Sequence, residues 1–371
     1  MAKTYNNLWQ EFVDFENLYN AYKLARKGKR YRYESLEFIK DLEVNIITLQ
    51  NQLIWNMYNP STMRQFYVFE PKKRLISAPC FVDRIVHHAL NLIIEKLFVR
   101  KFVNETFACI VGRGIHAAMR HVVKCARIAK CHWKRYYVLK CDIRKFFPSV
   151  NHDTLKKIIR RTIRDKKVLN LIDIIIDSYN TDGTPGRGIP IGSLTSQLLA
   201  NVVLDPFDHF IKEEKRVKYY ARYMDDFIIL HHDKKYLQKL KEEIEEYLHK
   251  ALDLDMNPKT GIFHERQGID FCGYRIWPTH VLPRKSTIKR TKRRLRRFAR
   301  VYKDNPGILK HASDSIQSFL GYIKHCSGWN TTRSMLNSII FSNSKKPEER
   351  ITGPISRYKP NHRRKMPLKK E

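Results

Sequence analysis

Acidic residues are scarce in this chain. Its 371 residues include 37 Asp and Glu against 71 Lys and Arg, a formal net charge of +34. That imbalance attracts polyanions, phosphate backbones above all. Long hydrophobic runs are also missing. No apolar stretch reaches the roughly 18 residues that span a bilayer, and the opening MAKTYNNLWQEF has no apolar signal core. A cytoplasmic protein without a membrane partner is therefore expected. Close cysteine pairs are absent too: the seven cysteines, Cys80, Cys109, Cys125, Cys131, Cys141, Cys272 and Cys326, form no CxxC. This argues against zinc, and the odd count suits a reducing compartment. Hydrophobic residues, at 43%, suffice for a sizeable core. The length fits two or three domains, or one large multi-part domain. Basicity alone also fits a ribosome-like or merely adhesive protein. The deciding feature is whether the few carboxylates gather where chemistry can occur.

Residues 1–60 read as a helical extension, with Leu36, Ile39, Leu42, Ile46, Leu49 and Leu53 on one buried face. RQFYVFEP and KRLISAP predict a hairpin around Pro-Lys-Lys. Helices are expected over 84–101, after Gly112 and Gly114, and over 152–180. RYYVLKCD predicts a strand ending at Asp142, and the Gly/Pro-dense 181–192 a loop. Ser193 is positioned to cap a helix that turns Leu194, Leu198, Val202 and Phe207 inward. A charged helix is expected over 234–250, then two short strands around a turn. Residues 284–303 form a Lys/Arg-dominated helix with a narrow apolar stripe of Ile288, Leu295, Phe298 and Tyr302. Two more helices complete a small basic bundle, and the Pro- and Lys-rich end is expected to be disordered.

YARYMDDFIILHH, residues 220–232, places Asp225 and Asp226 at a turn between two strand-like runs. By itself this reads equally as a turn that favours Asp. Asp142 also ends a strand, however, and two strand ends in one sheet can gather three carboxylates. Such a cluster repels itself unless cations neutralise it. Two Mg²⁺ ions about 3.5–4 Å apart suit in-line phosphoryl transfer. Oxygen ligands favour Mg²⁺, or Mn²⁺ in its place, over zinc.

YMDD at 223–226 between apolar strands resembles the catalytic turn of reverse transcriptases. Further blocks resemble that family in its own order: KRLISAPCFVDRIVHHAL, NETFACIVGRGIHAAM, VLKCDIRKFFPSV, GIPIGSLTSQLLANVVLDPFD, LDMNPKTGIF and FCGYRIW. The similarity covers about residues 65–280 and is greatest to bacterial enzymes related to group II intron reverse transcriptases. It implies an α/β (α+β) right-hand polymerase: fingers, a palm of antiparallel sheet flanked by helices, and a helical thumb. The corresponding division is 1–60 extension, 61–280 fingers and palm, 281–342 thumb and 343–371 disordered tail.

The resemblance implies that Asp142 and Asp225 bind both metals, with Ile143 beside them and Asp226 completing the acidic set. Phe147 would lie under the incoming sugar and reject a ribose 2′-OH, while one of Phe146 and Phe147 must be ordinary core. Arg74, with Lys72 or Lys73, would meet the triphosphate, though a solvated hairpin fits those lysines nearly as well. Lys259 would approach the active site. Gly192 and Gln197 would underlie the templating pair. Arg284, Lys285, Lys289, Arg293, Arg294, Arg296 and Arg297 would track the duplex backbone from the thumb. Partners implied are template RNA, the cDNA/RNA duplex and deoxynucleotides.

One block departs from the intron enzymes, which usually read Gln-Gly-x-x-x-Ser-Pro. This chain has Ile191-Gly192-Ser193-Leu194-Thr195-Ser196-Gln197, which resembles reverse transcriptases of diversity-generating retroelements. These copy a template-repeat RNA with errors opposite adenine and usually need a small, basic, helical accessory protein. No maturase or endonuclease domain is expected after residue 342. Two alternatives stand beside this reading: a retron-like or abortive-infection reverse transcriptase, and a catalytically silent RNA-binding protein on a polymerase scaffold.

Overall fold

The computed structural model describes residues 3–341 apart from 70, 71 and 182. The expected tail at 343–371 and part of the hairpin tip lie outside the described residues. The chain is mixed α and β, with antiparallel sheets flanked by helices, as expected. It divides into two compact units, residues 1–121 with 133–264, and residues 122–132 with 265 onward.

In the first unit, β1 (Arg64–Val68) and β2 (Arg74–Ala78) form the expected antiparallel hairpin. Then β3 (Tyr137–Asp142), β4 (Tyr219–Tyr223), β5 (Asp226–His231) and β6 (Gly261–His264) build a sheet in the order β4–β5–β3–β6. Phe227 to Leu230 of β5 are all buried, so this central strand is a continuous apolar run rather than an alternating one. The register pairs Asp142 with Asp226 at one end and Tyr137 with His231 at the other. Behind the sheet, the helix Leu194–His209 is largely buried and sets Phe207 against Phe227, ring centroids 4.9 Å apart.

The first sixty residues belong to this same core. Leu18, Ala21, Tyr22 and Ala25 of the helix Phe15–Arg26 are buried, and the Tyr22 ring meets the Phe81 ring edge-on. The single face expected from Leu36 to Leu53 is instead two helices, Tyr33–Lys40 and Leu42–Ile54, broken at Asp41. The break rotates Leu36 into solvent and leaves Ile46, Leu49 and Leu53 buried. Likewise 152–180 is two helices, His152–Arg160 and Lys166–Asp177. Asp165 starts the second by accepting from the backbone of Lys167 and Val168, and it also accepts from Leu8 and Trp9. A carboxylate that caps in this way favours a new helix start over continuation.

In the second unit, β7 (Ile269–Phe271), β8 (Tyr274–Ile276) and β9 (Val281–Pro283) form a separate sheet. The two strands expected after residue 255 are therefore divided: β6 pairs with β3, whereas β7 pairs with β8. The units separate at 264/265, upstream of the expected boundary at 280, because β7–β9 are tied to the downstream helices. Tyr274 donates to the Tyr322 carbonyl at 3.2 Å, and the Arg284 amide donates to the Gly273 carbonyl. Leu295, Phe319, Ile323 and Met335 form the core of the helices Lys285–Val301, Ile308–Ile323 and Trp329–Asn337, with Ile288 and Phe298 packed against it.

Candidate active site

Two residues, Met224 and Asp225, join β4 to β5, because Tyr223 and Asp226 are still paired. Met224 takes φ of 58°, a left-handed conformation that turns of this kind usually give to glycine. Such strain costs on the order of 1–3 kcal/mol and persists only where the surroundings impose it. Here the surroundings are a buried ion pair. Arg222 is wholly buried, as is Asp208 at the end of the helix Leu194–His209. Arg222 Nε and Nη2 donate to the two Asp208 oxygens at 2.7 and 2.6 Å, and Nη1 donates to the Asn201 side chain and to the Met224 carbonyl, both at 3.1 Å. Thr106 and Tyr220 hydroxyls also donate to Asp208, each at 2.6 Å. The carboxylate is thus fully satisfied, and the guanidinium fork holds the strained carbonyl.

The turn brings Asp142, Asp225 and Asp226 to one end of the sheet. The Ile143 amide donates to the Asp225 carbonyl at 3.2 Å. Asn257, which the sequence reading missed, donates its amide to the Asp142 carbonyl at 2.8 Å and its side chain to Asp142 Oδ2 at 2.7 Å. Asp226 Oδ2 lies 3.7 Å from Lys140 Nζ. Burial pushes the Asp225 carboxyl above its usual range; the Asp142 charge adds to this, and the Arg74 and Arg222 charges oppose it. Among the described residues, no three His, Cys, Asp or Glu side chains form a ready-made metal cage. Mg²⁺ does not need one, because it is usually held by one or two carboxylates together with substrate phosphates. The donor set fits: carboxylate oxygens that repel each other are what a hard divalent cation relieves. Ile143 can offer only its backbone oxygen, since its side chain is a hydrocarbon, here buried in the core.

Around the turn, Arg74 is the exposed first residue of β2 and its charge acts on Asp225. Lys72 is exposed, while Lys73 lies over the Tyr67 ring at 4.4 Å. Phe146 is buried and Phe147 only half-buried, their rings crossing at 71°. The Ile191 carbonyl accepts from the Ser77 amide at 2.9 Å, which docks this loop on β2. Gly192, at φ of 126°, fits there only without a side chain: a Cβ would lie 2.7 Å from Ile76 Cγ2. Ser193 makes no cap bond, contrary to expectation. Its hydroxyl is 3.3 Å from His87 Nδ1, and the Thr195 hydroxyl is 2.7 Å from the same atom. Burial lowers the His87 pKa to about 4, so the ring is neutral and suited to accept from these hydroxyls. Gln197 is exposed on the first turn of the helix. Lys259 is exposed, and its amide donates to Asn257 Oδ1 at 3.1 Å.

In the second unit, Lys285, Lys289, Arg293, Arg296 and Arg297 are exposed on the helix Lys285–Val301, and Arg294 is half-buried. Arg284, expected to face nucleic acid, is paired with Asp270 at 2.5 Å. Arg222, Asp208, Asn257 and His87 were not singled out from sequence. For the ion pair a signal existed: carboxylates at Asp205 and Asp208 inside the apolar run VVLDPFDHF, and the single Arg222 inside YYARYM.

Residues 69–276, more than half of the chain, match the family described as Reverse transcriptase (RNA-dependent DNA polymerase). The chain belongs to this family. Protein YkfC of Escherichia coli (strain K12) is 26% identical over 275 residues, covering 63% of this chain and 72% of that protein. Group II intron-encoded protein LtrA of Lactococcus lactis subsp. cremoris is 23% identical over 352 residues. That match takes in 76% of this chain, which spans only 56% of LtrA. Apo telomerase from Candida Tropicalis is similar with a TM-score of 0.48 and 13% identity, covering 75% of this chain and 60% of that one. Reverse transcriptases are RNA-directed DNA polymerases that use divalent metals, and the paired aspartates of this chain lie within the matched residues. Among the described residues, no helix is long and apolar enough to cross a membrane.

Proposed function

We propose that this reverse transcriptase copies a template-repeat RNA into adenine-mutagenised cDNA for a diversity-generating retroelement. Mg²⁺, held by Asp142 and Asp225 with Asp226, would neutralise charge on the transferring phosphate when bound. Arg74 meets the triphosphate, and Phe147 limits the space beside the sugar. A small basic helical protein assists the enzyme. The observation that carries the subtype is the run Ile191–Gln197. Its Ile191 is docked on β2 through its carbonyl, and an aliphatic side chain offers no hydrogen bond to a base or sugar edge. One hydrogen bond contributes about 0.5–1.5 kcal/mol, so its absence lowers discrimination by up to about tenfold.

Sequencing cDNA made from one RNA template by the parent and by Ile191→Gln and Gln197→Pro variants tests this reading. Errors opposite adenine should exceed those at other bases in the parent and fall most there in the variants. A parent with uniform, low errors would instead indicate a retron-like or defence enzyme. A parent that binds RNA but extends no primer would be the silent scaffold.

A further inference from the structure

The end of the sheet remote from the aspartates carries a second concentration of chemistry. Asp142 and Tyr137 lie at opposite ends of β3, roughly 17 Å apart at about 3.3 Å per residue. Beside Tyr137 and its partner His231, the Trp133 ring meets the His232 ring at 4.9 Å, the His231 ring at 5.4 Å and the buried Tyr219 ring at 5.2 Å. The two histidine rings lie 4.4 Å apart. Tyr219 fixes Trp133 from beneath, while His232 is exposed and Trp133 half-exposed. The rings therefore do not close into a core.

Cations surround these rings. Lys134, in a left-handed turn, and Arg135 lead into β3, and Lys218 leads into β4; all three are exposed. Strands β3 and β4 are separated by β5, so these charges bracket roughly 10 Å at about 4.8 Å per strand. That is wider than one phosphate needs. The nearby carboxylate, Asp233, is engaged in capping the next helix through the Lys235 amide at 2.7 Å. Half-exposed rings interleaved with spaced cations are what a single strand needs, since bases stack while phosphates pair with the charges.

We propose that Trp133, His231 and His232, with Lys134, Arg135 and Lys218, form a second nucleic-acid site that holds single-stranded RNA away from the catalytic turn. The inference rests on the polymerase reading for its purpose: the site tethers template not yet copied and raises its effective concentration at the aspartates.

The test compares two primed RNA templates, one with a 2-nucleotide and one with a 20-nucleotide single-stranded 5′ overhang. Affinity is measured by fluorescence anisotropy over a salt series. The parent should bind the long overhang more tightly. Lys134→Gln/Arg135→Gln/Lys218→Gln should lose about tenfold on the long template only, with the log–log salt slope reduced by about 2, at about 0.7 per phosphate. His232→Ala, at an exposed position, should weaken long-template binding with the slope unchanged, because stacking releases no counterions. Thermal melts of both variants establish folding. Parental affinities in both variants overturn the site, and an equal loss on both templates assigns the cations to the catalytic cleft instead. Failure of the parent to extend the short template would count against the polymerase reading alone and leave the binding comparison intact.

Discussion

Replacing Asp208 by Asn should separate what the buried ion pair does for stability from what it does for the turn. The substitution keeps the shape and one acceptor oxygen. It removes the hydrogen-bonded counter-charge of the wholly buried Arg222 guanidinium, and turns an amide NH₂ toward Nη2 and the Thr106 hydroxyl. Breaking a buried pair from one side costs about 3–5 kcal/mol, which corresponds to a fall of about 6–20 °C in Tm. Arg222→Lys makes the complementary change. The charge against Asp208 remains, but an ammonium lacks the planar fork that reaches Asp208, Asn201 and the Met224 carbonyl together. Losing the charged hydrogen bond to Met224 gives up about 1.5–3 kcal/mol. If the left-handed turn depends on that bond, kcat falls about ten- to hundredfold, while Tm falls less than in Asp208→Asn. Melting followed by circular dichroism and single-turnover primer extension measure the two quantities. An Asp208→Asn protein melting with the parent, or an Arg222→Lys protein with parental kcat, refutes the assignment.

Asp225→Asn should abolish DNA synthesis yet raise the Tm of the metal-free protein at pH 7. A carboxyl whose folded pKa is raised stabilises the fold only while protonated, and that contribution is lost as pH rises through the folded value. The gain over the parent should therefore shrink toward acidic pH, and a variant less stable than the parent at pH 7 contradicts the burial argument. Gly192→Ala should cost about 1–3 kcal/mol of strain and raise the KM for deoxynucleotides, because its Cβ would push the loop off Ile76; an unchanged KM would show that the loop does not touch the nucleotide. Replacing the exposed Arg293, Arg296 and Arg297 together by Gln should flatten the salt dependence of template–primer binding by about 0.7–0.9 per lost contact, whereas Arg284→Gln, already engaged with Asp270, should leave it nearly unchanged.

Local pattern along the chain was enough to identify the elements and the type of chemistry. Short strand-like runs and turn residues located the β1–β2 hairpin, the strand ending at Asp142 and the Met224–Asp225 turn, because these depend on neighbours within a few positions. Helical spacing located the helices but not their breaks. Asp41 and Asp165 look like ordinary polar positions until the chain around them is folded. Which of Phe146 and Phe147 enters the core depended on the rotation of one short helix, and only the fold fixed it. Tertiary structure alone decided the supports of the site. Arg222 meets Asp208, Asn257 meets Asp142, and His87 meets Thr195 across 14, 115 and 108 residues. No local pattern encodes such partners. A buried charge or imidazole must find its counterpart wherever the chain brings it, because leaving it alone in the interior costs more than the fold can bear.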